Sequence, residues 1–319
     1  MTAYIVRRLI QAVVVLILVT LVIFFIMRML PGDPLRLYLS ETQSLESMPP
    51  EAVAALRHEF GLDKPLILQY TSWIGGVFRG DFGTSIYYRE SVGTLMLERY
   101  PITLHLGLLS FVISCILGVL LGLVQALRRG KWIDTSLTVL AYFGISIPTF
   151  WLGILLMYFL GLKLGLLPIS GYTPPWENFW LSTRQVIMPV ICMSAMGIAG
   201  TARQMRSSML EVTRQDYIRT AWSKGLGERT IVYRHMLKNS LIPVVTLLGM
   251  FAPMILVGSV FAETVFAIPG VGRLMVSSIF GHDYVVVQSI TLLVAAVVIL
   301  CNLIVDISYG WLDPRIRYG

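Results

Sequence analysis

The residues that could perform chemistry are few in this chain, and they do not converge on a reaction. The four histidines, His58, His105, His235 and His282, lie in separate regions, without the His-Glu-x-x-His or paired spacing of a metal site. The sequence contains no Gly-x-Ser-x-Gly nucleophile motif, and no pair of aspartates falls within an apolar segment. We therefore predict that this chain has no metal site and no enzyme active site of its own.

A phosphate-binding loop is also missing from the sequence. Such a loop needs the pattern Gly-x-x-x-x-Gly-Lys-Ser/Thr, in which backbone N–H groups and the lysine hold the phosphates of a nucleotide. The nearest string, Gly130-Lys131, is followed by Trp132 and not by a hydroxyl residue. We therefore predict that the chain is not an ATPase, and that any ATP-driven activity requires a separate ATPase subunit.

Methionines and two polar residues in the apolar segments have the types expected of an adaptable solute pathway. Flexible methionine side chains accommodate ligands of irregular shape, although they equally fill gaps in a protein core. The candidate pathway residues are Tyr142, Ser146, Met193, Met196, Met250 and Met254. Pro148, Pro189 and Pro253 interrupt the same segments, which favours helices arranged around a pathway.

Two acidic residues lie near apolar segments, and each has two interpretations. A charged group within lipid is a candidate proton relay. Glu263 and Asp306, however, both fall close to a predicted membrane interface. We therefore expect them to have structural roles.

The composition indicates that a membrane surrounds this chain. Of its 319 residues, 56% are hydrophobic and 13% are charged, whereas a soluble domain carries roughly 25% charged residues. The net charge of +7 is compatible with nucleic-acid binding, but the basic residues are concentrated in short segments between apolar ones. That distribution is typical of a multi-pass membrane protein.

Six apolar windows are long enough to cross a hydrocarbon core of about 30 Å, and they predict an all-α polytopic membrane protein with six transmembrane helices. The predicted spans are 9–27, 104–127, 137–160, 186–202, 241–261 and 284–305. The predicted segments are a first transmembrane helix (1–30), a long extracytoplasmic segment (31–100), a five-helix core (101–310) that contains a polar loop (207–240), and a cytoplasmic tail (311–319).

The orientation follows from the basic residues of the short loops. Arg128, Arg129 and Lys131, together with the basic residues of 203–238, fall on one side of the predicted spans. Cytoplasmic loops carry an excess of Lys and Arg, so this side is predicted to be cytoplasmic, with both termini there and segment 31–100 outside. Within that outer segment, Pro50 is typical of a helix start, and a second helix is predicted at 66–78.

One polar stretch interrupts the apolar pattern. Asp216 is typical of a helix N-cap and Gly225 of the residue after a helix end, which predicts about two turns of helix between them. Ile218, Ala221 and Trp222 then share one face of this helix. Because so short a helix does not persist alone in water, the apolar face must pack against something.

The rest of this stretch leaves two interpretations open. A second helical run is predicted from Glu228 to Asn239, after which Pro243 opens the fifth span. A solvated basic loop that obeys the positive-inside rule is one interpretation. A docking surface for a cytoplasmic partner is the other, and the exposed Trp222 favours it.

The stretch DYIRTAWSKGLGERTIVYRHMLKNSLIP resembles the Glu-Ala-Ala coupling loop of binding-protein-dependent ABC importers, in its peptide/nickel permease version. The general pattern is a Glu-Ala-Ala triplet, three residues, a glycine and a later hydrophobic residue followed by proline. Here it reads Arg219-Thr220-Ala221, then Gly225, then Ile242-Pro243. The first two triplet positions differ from the general Glu-Ala-Ala pattern, and the stretch as it stands resembles the peptide/nickel branch.

Further strings extend the resemblance over nearly the whole chain. In chain order they are RRL, MLPGDP, FGLDKP, GDFGTS, SIPTFW, RSSMLEV, ETVFAIPGVGRL, DYVVVQ and VDISYGWLDPRIRYG. Together they resemble the first of the two permease subunits in such systems.

The resemblance implies an assembly in a bacterial cytoplasmic (inner) membrane. A second homologous permease subunit would complete the pore, two cytoplasmic ATPase subunits would bind ATP and Mg²⁺, and an extracytoplasmic substrate-binding protein would deliver the substrate. This chain would contact lipid and bind no cofactor or nucleic acid itself. The residues that the resemblance assigns to the ATPase contact are Ile218, Arg219, Thr220, Ala221, Trp222, Lys224, Gly225 and Leu226.

The expected function is therefore that of a permease subunit of an ATP-driven importer, forming half of the translocation pore for di- or oligopeptides. Nickel or a metal chelate is the alternative substrate for the same role. A self-sufficient secondary transporter or channel is the alternative from another class, and it predicts inverted repeats and mid-bilayer charges that the sequence lacks. A membrane-bound enzyme ranks third because no nucleophile–base group is present.

Overall fold

A computed structural model describes the fold of residues 2–29, 49–59, 63–85, 87–257 and 260–312. Within these ranges side chains are described except at 2–4, 56–57, 59, 252–257 and 305–312. The described residues form helices joined by loops, with an isolated β-bridge between Thr84 and Ser91.

The helices are numbered here in chain order. They are α1 (Thr2–Met29), α2 (Pro50–Glu59), α3 (Leu66–Phe78), α4 (Val92–Leu127), α5 (Trp132–Ser146), α6 (Thr149–Leu156), α7 (Phe179–Thr213), α8 (Asp216–Ser223), α9 (Glu228–Thr230), α10 (Lys238–Val257), α11 (Val260–Val265), α12 (Val271–Phe280) and α13 (Tyr284–Leu312). Two π-helical segments are present as well: Met157–Lys163 continues α6, and Ile231–Leu237 joins α9 to α10.

The apolar helices confirm an all-α membrane protein. Among the described residues, α1, α4, α7 and α13 are each long and apolar enough to cross a membrane, and α5 with α6 makes a fifth crossing if the bent pair counts as one. The remaining predicted span, 241–261, overlaps α10, where the side chains of 252–257 are not described. The count of six spans therefore stays a prediction.

The third predicted span is interrupted where the sequence places Pro148. The helix stops at Ser146 and resumes at Thr149, and the two parts are bent by 106°. Ile147 has a ψ of 123°, because the ring of the following Pro148 disfavours helical geometry in the residue before it. The interruption predicted at Pro148 within the span 137–160 is therefore present, and it is a sharp bend.

The fifth predicted span also begins differently from the prediction. Pro243 does not open a helix, because α10 already begins at Lys238 and continues a π-helical segment from Ile231. The predicted run of helix from Glu228 is present, but it passes through π geometry before it becomes regular. The fourth predicted span, 186–202, lies within a longer helix, since α7 runs from Phe179 to Thr213.

By their contacts the described residues divide into two compact units. One unit comprises Met1–Ile102 with Gly270–Gly319, and the other comprises Thr103–Pro269. In the first unit, α1 lies along α13, and the predicted outer helix α3 stacks Trp73 on Phe24 of α1 with ring centroids 6.0 Å apart. The helices predicted to start at Pro50 and to span 66–78 are confirmed as helices.

The second unit is held together by close packing between α4, α5, α7 and α10. A Cβ atom at Gly122 of α4 would lie 2.5 Å from the carbonyl oxygen of Ala202 in α7, so only glycine permits this approach. Between α5 and α7, Arg206 donates from Nε and Nη2 to both carboxylate oxygens of Asp134, at 2.8 and 2.9 Å.

The two acidic residues near apolar segments were expected to have structural roles. The Glu263 side chain is 1% exposed and accepts a hydrogen bond from Thr103 Oγ1 at 2.7 Å, which is a structural arrangement. The Asp306 side chain lies outside the described ones.

Candidate functional site

The short helix of the polar stretch is present as α8, although its first residue is not capped as expected. The helix spans Asp216–Ser223, and Gln215 occupies the N-cap position with extended backbone and no side-chain hydrogen bond. Asp216 is instead the first helical residue, where its negative charge lies at the positive end of the helix dipole. The predicted N-cap was therefore wrong by one position.

The end of α8 follows the predicted glycine signal. Gly225 has a φ of +73°, and its N–H donates to the carbonyl of Trp222, while the N–H of Leu226 donates to the carbonyl of Ala221. This pair of bonds is the Schellman motif, which satisfies carbonyls at a helix end and favours glycine. The motif turns the chain sharply between α8 and α9.

The two faces of α8 differ in what they contact. Ile218 and Ala221 are 1% and 5% exposed, and they belong to a buried cluster with Met205 and Met209 of α7 and with Ile231 of the π-helical segment. The apolar face that the sequence pattern required to be covered is therefore covered by this chain itself.

The opposite face of α8 is open. Trp222 is 51% exposed, so it does not share the environment of Ile218 and Ala221 as the helical spacing suggested. Arg219, Thr220, Lys224 and Gly225 are exposed as well, and Leu226 is 37% exposed. The eight predicted contact residues thus separate into two buried ones and six that a partner can reach.

Polar contacts add little to the attachment of α8. Asn239 Nδ2, at the start of α10, donates to the hydroxyl of Tyr217 at 3.0 Å, which connects the first turn of α8 to that helix. Arg219 and Asp216 approach to 3.6 Å, but both side chains are largely exposed, and such surface pairs contribute little stability. The position of α8 therefore depends mainly on the buried cluster beneath it.

The predicted pathway residues do not line one cavity. Met193 and Met196 border an apolar cavity of about 410 Å³ together with Ser110, Thr201 and Phe251. Met196 also borders a smaller cavity of about 240 Å³, which includes Ser146 and surrounds the bend at Pro148.

A third cavity of about 460 Å³ lies between α4, α5 and α7, and we call it the basic cavity. It contains the predicted Tyr142, and its wall includes Gln125, Thr138, Arg203, Arg206 and Glu211. Met250 borders none of these three cavities and is 66% exposed, and the Met254 side chain lies outside the described ones.

The basic cavity contains residues that the sequence patterns did not single out. Arg203 and Arg206 follow an apolar window closely, and Asp134 stands at the start of another. Charged residues at such places are rare enough to mark a site, so this signal was available. Their pairing was not, because no spacing rule connects residues 134 and 206 before the packing of α5 on α7 is known.

The described residues contain no group of three or more His, Cys, Asp or Glu side chains that could hold a metal ion. Among them, the three cysteines are free, and Cys192 and Cys301 are buried.

A multi-pass helical protein with an exposed short helix after a long apolar one has the architecture of a membrane transport component. The family model for the inner membrane component of binding-protein-dependent transport systems matches residues 118–318, and the model for the N-terminal part of such components matches residues 1–107. The chain belongs to this family, as its sequence motifs indicated.

Similar proteins from three bacteria match over the whole chain. The oligopeptide transport system permease protein of Bacillus subtilis is 38% identical, with 100% of both chains covered. The di/tripeptide transport system permease protein of Pseudomonas aeruginosa is 38% identical over 100% of this chain and 99% of its own. The dipeptide transport system permease protein of Lactococcus lactis is 38% identical over 99% and 100%. A crystal structure of an amino acid ABC transporter with histidines aligns with 70% of this chain and 94% of its own at 13% identity and a TM-score of 0.49, a likeness too low to support a fold assignment.

Proposed function

We propose that this chain forms one half of the translocation pore of an ATP-driven importer of di- or oligopeptides. The names of its full-length relatives support the substrate class. The family supports a role in a transport system that also uses a binding protein. The missing phosphate-binding loop supports the dependence on separate ATPase subunits.

The single observation that carries the coupling mechanism is the two-sided environment of α8. Ile218 and Ala221 attach the helix to α7 and to the π-helical segment before α10, while the opposite face is left for a partner. A force applied to the open face is transmitted to two long helices at once, because a close-packed cluster deforms little. This arrangement suits the conversion of ATPase movements into helix movements in the membrane.

The proposed assembly follows from these elements. A second homologous permease completes the pore, two ATPase subunits bind ATP and Mg²⁺ on the cytoplasmic side, and an extracytoplasmic protein delivers the peptide. The chain crosses the inner membrane six times with both termini in the cytoplasm. The proposed ATPase contact consists of Arg219, Thr220, Trp222, Lys224, Gly225 and Leu226.

Reconstitution into liposomes tests this proposal. The complete system, with both permeases, the ATPases and the binding protein, is expected to accumulate a labelled dipeptide only when ATP is present at the ATPase side. Omission of the ATPases is expected to abolish uptake. Uptake by this chain in liposomes without an ATPase would show that it is a self-sufficient transporter, and the proposal would be wrong.

A further inference from the structure

The basic cavity carries more positive charge than its own residues neutralise. Asp134 is 4% exposed and accepts hydrogen bonds from Nε and Nη2 of Arg206, and Arg206 also lines the cavity. Arg203 also lines the cavity and has no ion-pair partner among the residues that the structure describes. Two arginines in the wall of one cavity suit a carboxylate, which arginine binds through parallel hydrogen bonds.

The wall of the same cavity includes a buried side-chain amide whose oxygen has no hydrogen-bond partner. Gln125 is 2% exposed, and its Nε2 donates to Thr138 Oγ1 at 3.3 Å, while Oε1 has no partner. Turning the amide over changes which atom meets Thr138, but one atom is still left over. An unpaired buried polar group is costly unless a ligand or water satisfies it, and a primary amide complements a peptide group.

The remaining walls limit the class of ligand. Tyr142 and Ile145 provide apolar surface, and Glu211 places a single negative charge among the arginines. The volume of about 460 Å³ is within the range of small-molecule sites, roughly 300–1,000 Å³. The cavity is lined by α7 as far as Arg214, the residue just after that helix, and α8 begins two residues later.

We propose that the basic cavity binds the carboxyl-terminal end of a short peptide, with Arg203 and Arg206 on the carboxylate and Gln125 on the adjoining peptide group. This inference rests on the proposed peptide-import function and adds a binding site to it. The site would hold the peptide near the coupling surface, on the side where it leaves the protein.

Cysteine protection in the assembled transporter tests the site without the binding protein. Ser207 is exposed and lines the cavity, so Ser207→Cys reports on occupancy. Thr213→Cys is the matched control, since Thr213 is exposed on the same helix and is not among the cavity-lining residues. The complex of both permeases and ATPases is placed in phosphatidylcholine nanodiscs, and the rate of maleimide labelling at each position is measured by mass spectrometry.

Millimolar dialanine is expected to slow the labelling of Ser207→Cys at least about three-fold and to leave that of Thr213→Cys unchanged. Dialanine amide, which lacks the carboxylate, is expected to require about ten-fold more ligand for half protection, equivalent to ~1.4 kcal/mol. The variant Arg203→Gln is expected to raise the half-protecting concentration of dialanine by a similar factor. Arg229→Gln, on exposed α9 outside the cavity, is expected to change it less than about two-fold.

Three outcomes would overturn the site. Dialanine could fail to slow the labelling of Ser207→Cys, or dialanine and its amide could slow it equally. Labelling could also be slowed without peptide, and only when anionic lipid replaces phosphatidylcholine, which would identify a lipid headgroup as the ligand. Parallel uptake of dialanine by the complete liposome system separates the two proposals. Uptake without protection would refute the cavity site alone, whereas protection without ATP-driven uptake would refute the proposed import function alone.

Discussion

Gly225 ends α8 in a backbone conformation that a β-branched residue adopts only under strain. Its φ of +73° costs a non-glycine residue roughly 1–2 kcal/mol, and the two bonds of the Schellman motif depend on it. We predict that Gly225→Val distorts the end of the open face of α8 and weakens capture of the ATPase subunits by the purified permease. A pull-down with tagged ATPase measures this.

Gly227 provides the matched control for that substitution. It lies two positions further along, has a φ of −64°, and a Cβ atom there would meet nothing within 4 Å. Gly227→Ala is therefore expected to leave ATPase capture unchanged. Equal losses in both variants would mean that the turn conformation at Gly225 is not what matters.

Ile218 and Trp222 are predicted to differ in effect although they lie one turn apart. Ile218→Ala removes a fully buried side chain and is expected to lower stability by about 2–4 kcal/mol, seen as a lower melting temperature. Trp222→Ala removes an exposed side chain, so the melting temperature is expected to stay the same while ATPase binding weakens about ten-fold or more. A lowered melting temperature with unchanged ATPase binding in Trp222→Ala would contradict the assignment of the open face.

At this scale the sequence predicted the end of the helix but not the sorting of its faces. Gly225 was recognisable because the left-handed conformation selects glycine wherever it occurs. Spacing alone placed Ile218, Ala221 and Trp222 together, yet the cluster under α8 is narrow enough to cover only the first two. The width of the covered stripe depends on α7 and the π-helical segment, which local spacing does not reveal.

Among the elements, the α5–α7 pair offers the clearest test of a polar contact inside an apolar unit. Asp134 is 4% exposed, and Arg206 and the backbone N–H of Gly130 both donate to its carboxylate. Asp134→Asn leaves the Arg206 charge without its partner, and Arg206→Gln leaves the carboxylate without its main donor. Each single change is expected to lower stability by about 2–3 kcal/mol.

The double variant Asp134→Asn/Arg206→Gln is expected to be less destabilised than the sum of the two single changes, because it leaves no uncompensated charge. The expected coupling energy is about 1–3 kcal/mol, measured from thermal or denaturant unfolding of the four proteins. Strict additivity would mean that the two side chains do not act as a pair in the membrane.

The helix boundaries show which features of a helix can be predicted from the sequence. Apolar length predicted α1, α4 and α13 well, because crossing a membrane requires a long helix whatever its neighbours are. The bend after Ser146 was marked by Pro148, but hydropathy averages over such a break and joined the two parts. The π-helical segment at Ile231–Leu237 has no local signal of its own, so the sequence could not predict it.

For the whole molecule, the proposed orientation makes a prediction that single cysteines can check. Trp132 is 76% exposed at the start of α5, and Trp176 is 79% exposed in the loop before α7. In intact cells a membrane-impermeant maleimide is expected to label Trp176→Cys and not Trp132→Cys, which becomes reactive only after permeabilisation. The reverse pattern would turn the protein over and place α8 outside, away from any cytoplasmic ATPase.

The fold class of the whole chain was predictable from the sequence, but the way its helices pack into two units was not. Composition and the order of apolar segments sufficed for an all-α membrane protein, and short motifs sufficed for the family. The grouping of the N-terminal third with residues from Gly270 onward was not predictable, because it pairs helices far apart in sequence. Contacts such as the hydrogen bond from Ser85 Oγ to Asp283 come from that pairing.

The 106° bend between α5 and α6 leaves main-chain groups at the border of a cavity. The last carbonyls of α5 and the first N–H groups of α6 have no partners within their own helices, and the residues around the bend border the cavity that contains Ser146. Main-chain groups are the same at every residue, so hydrogen bonds made by them do not distinguish one ligand side chain from another. In the importer proposed above, a peptide held there by main-chain groups would be bound whatever its own side chains are, and discrimination among peptides would have to come from other contacts.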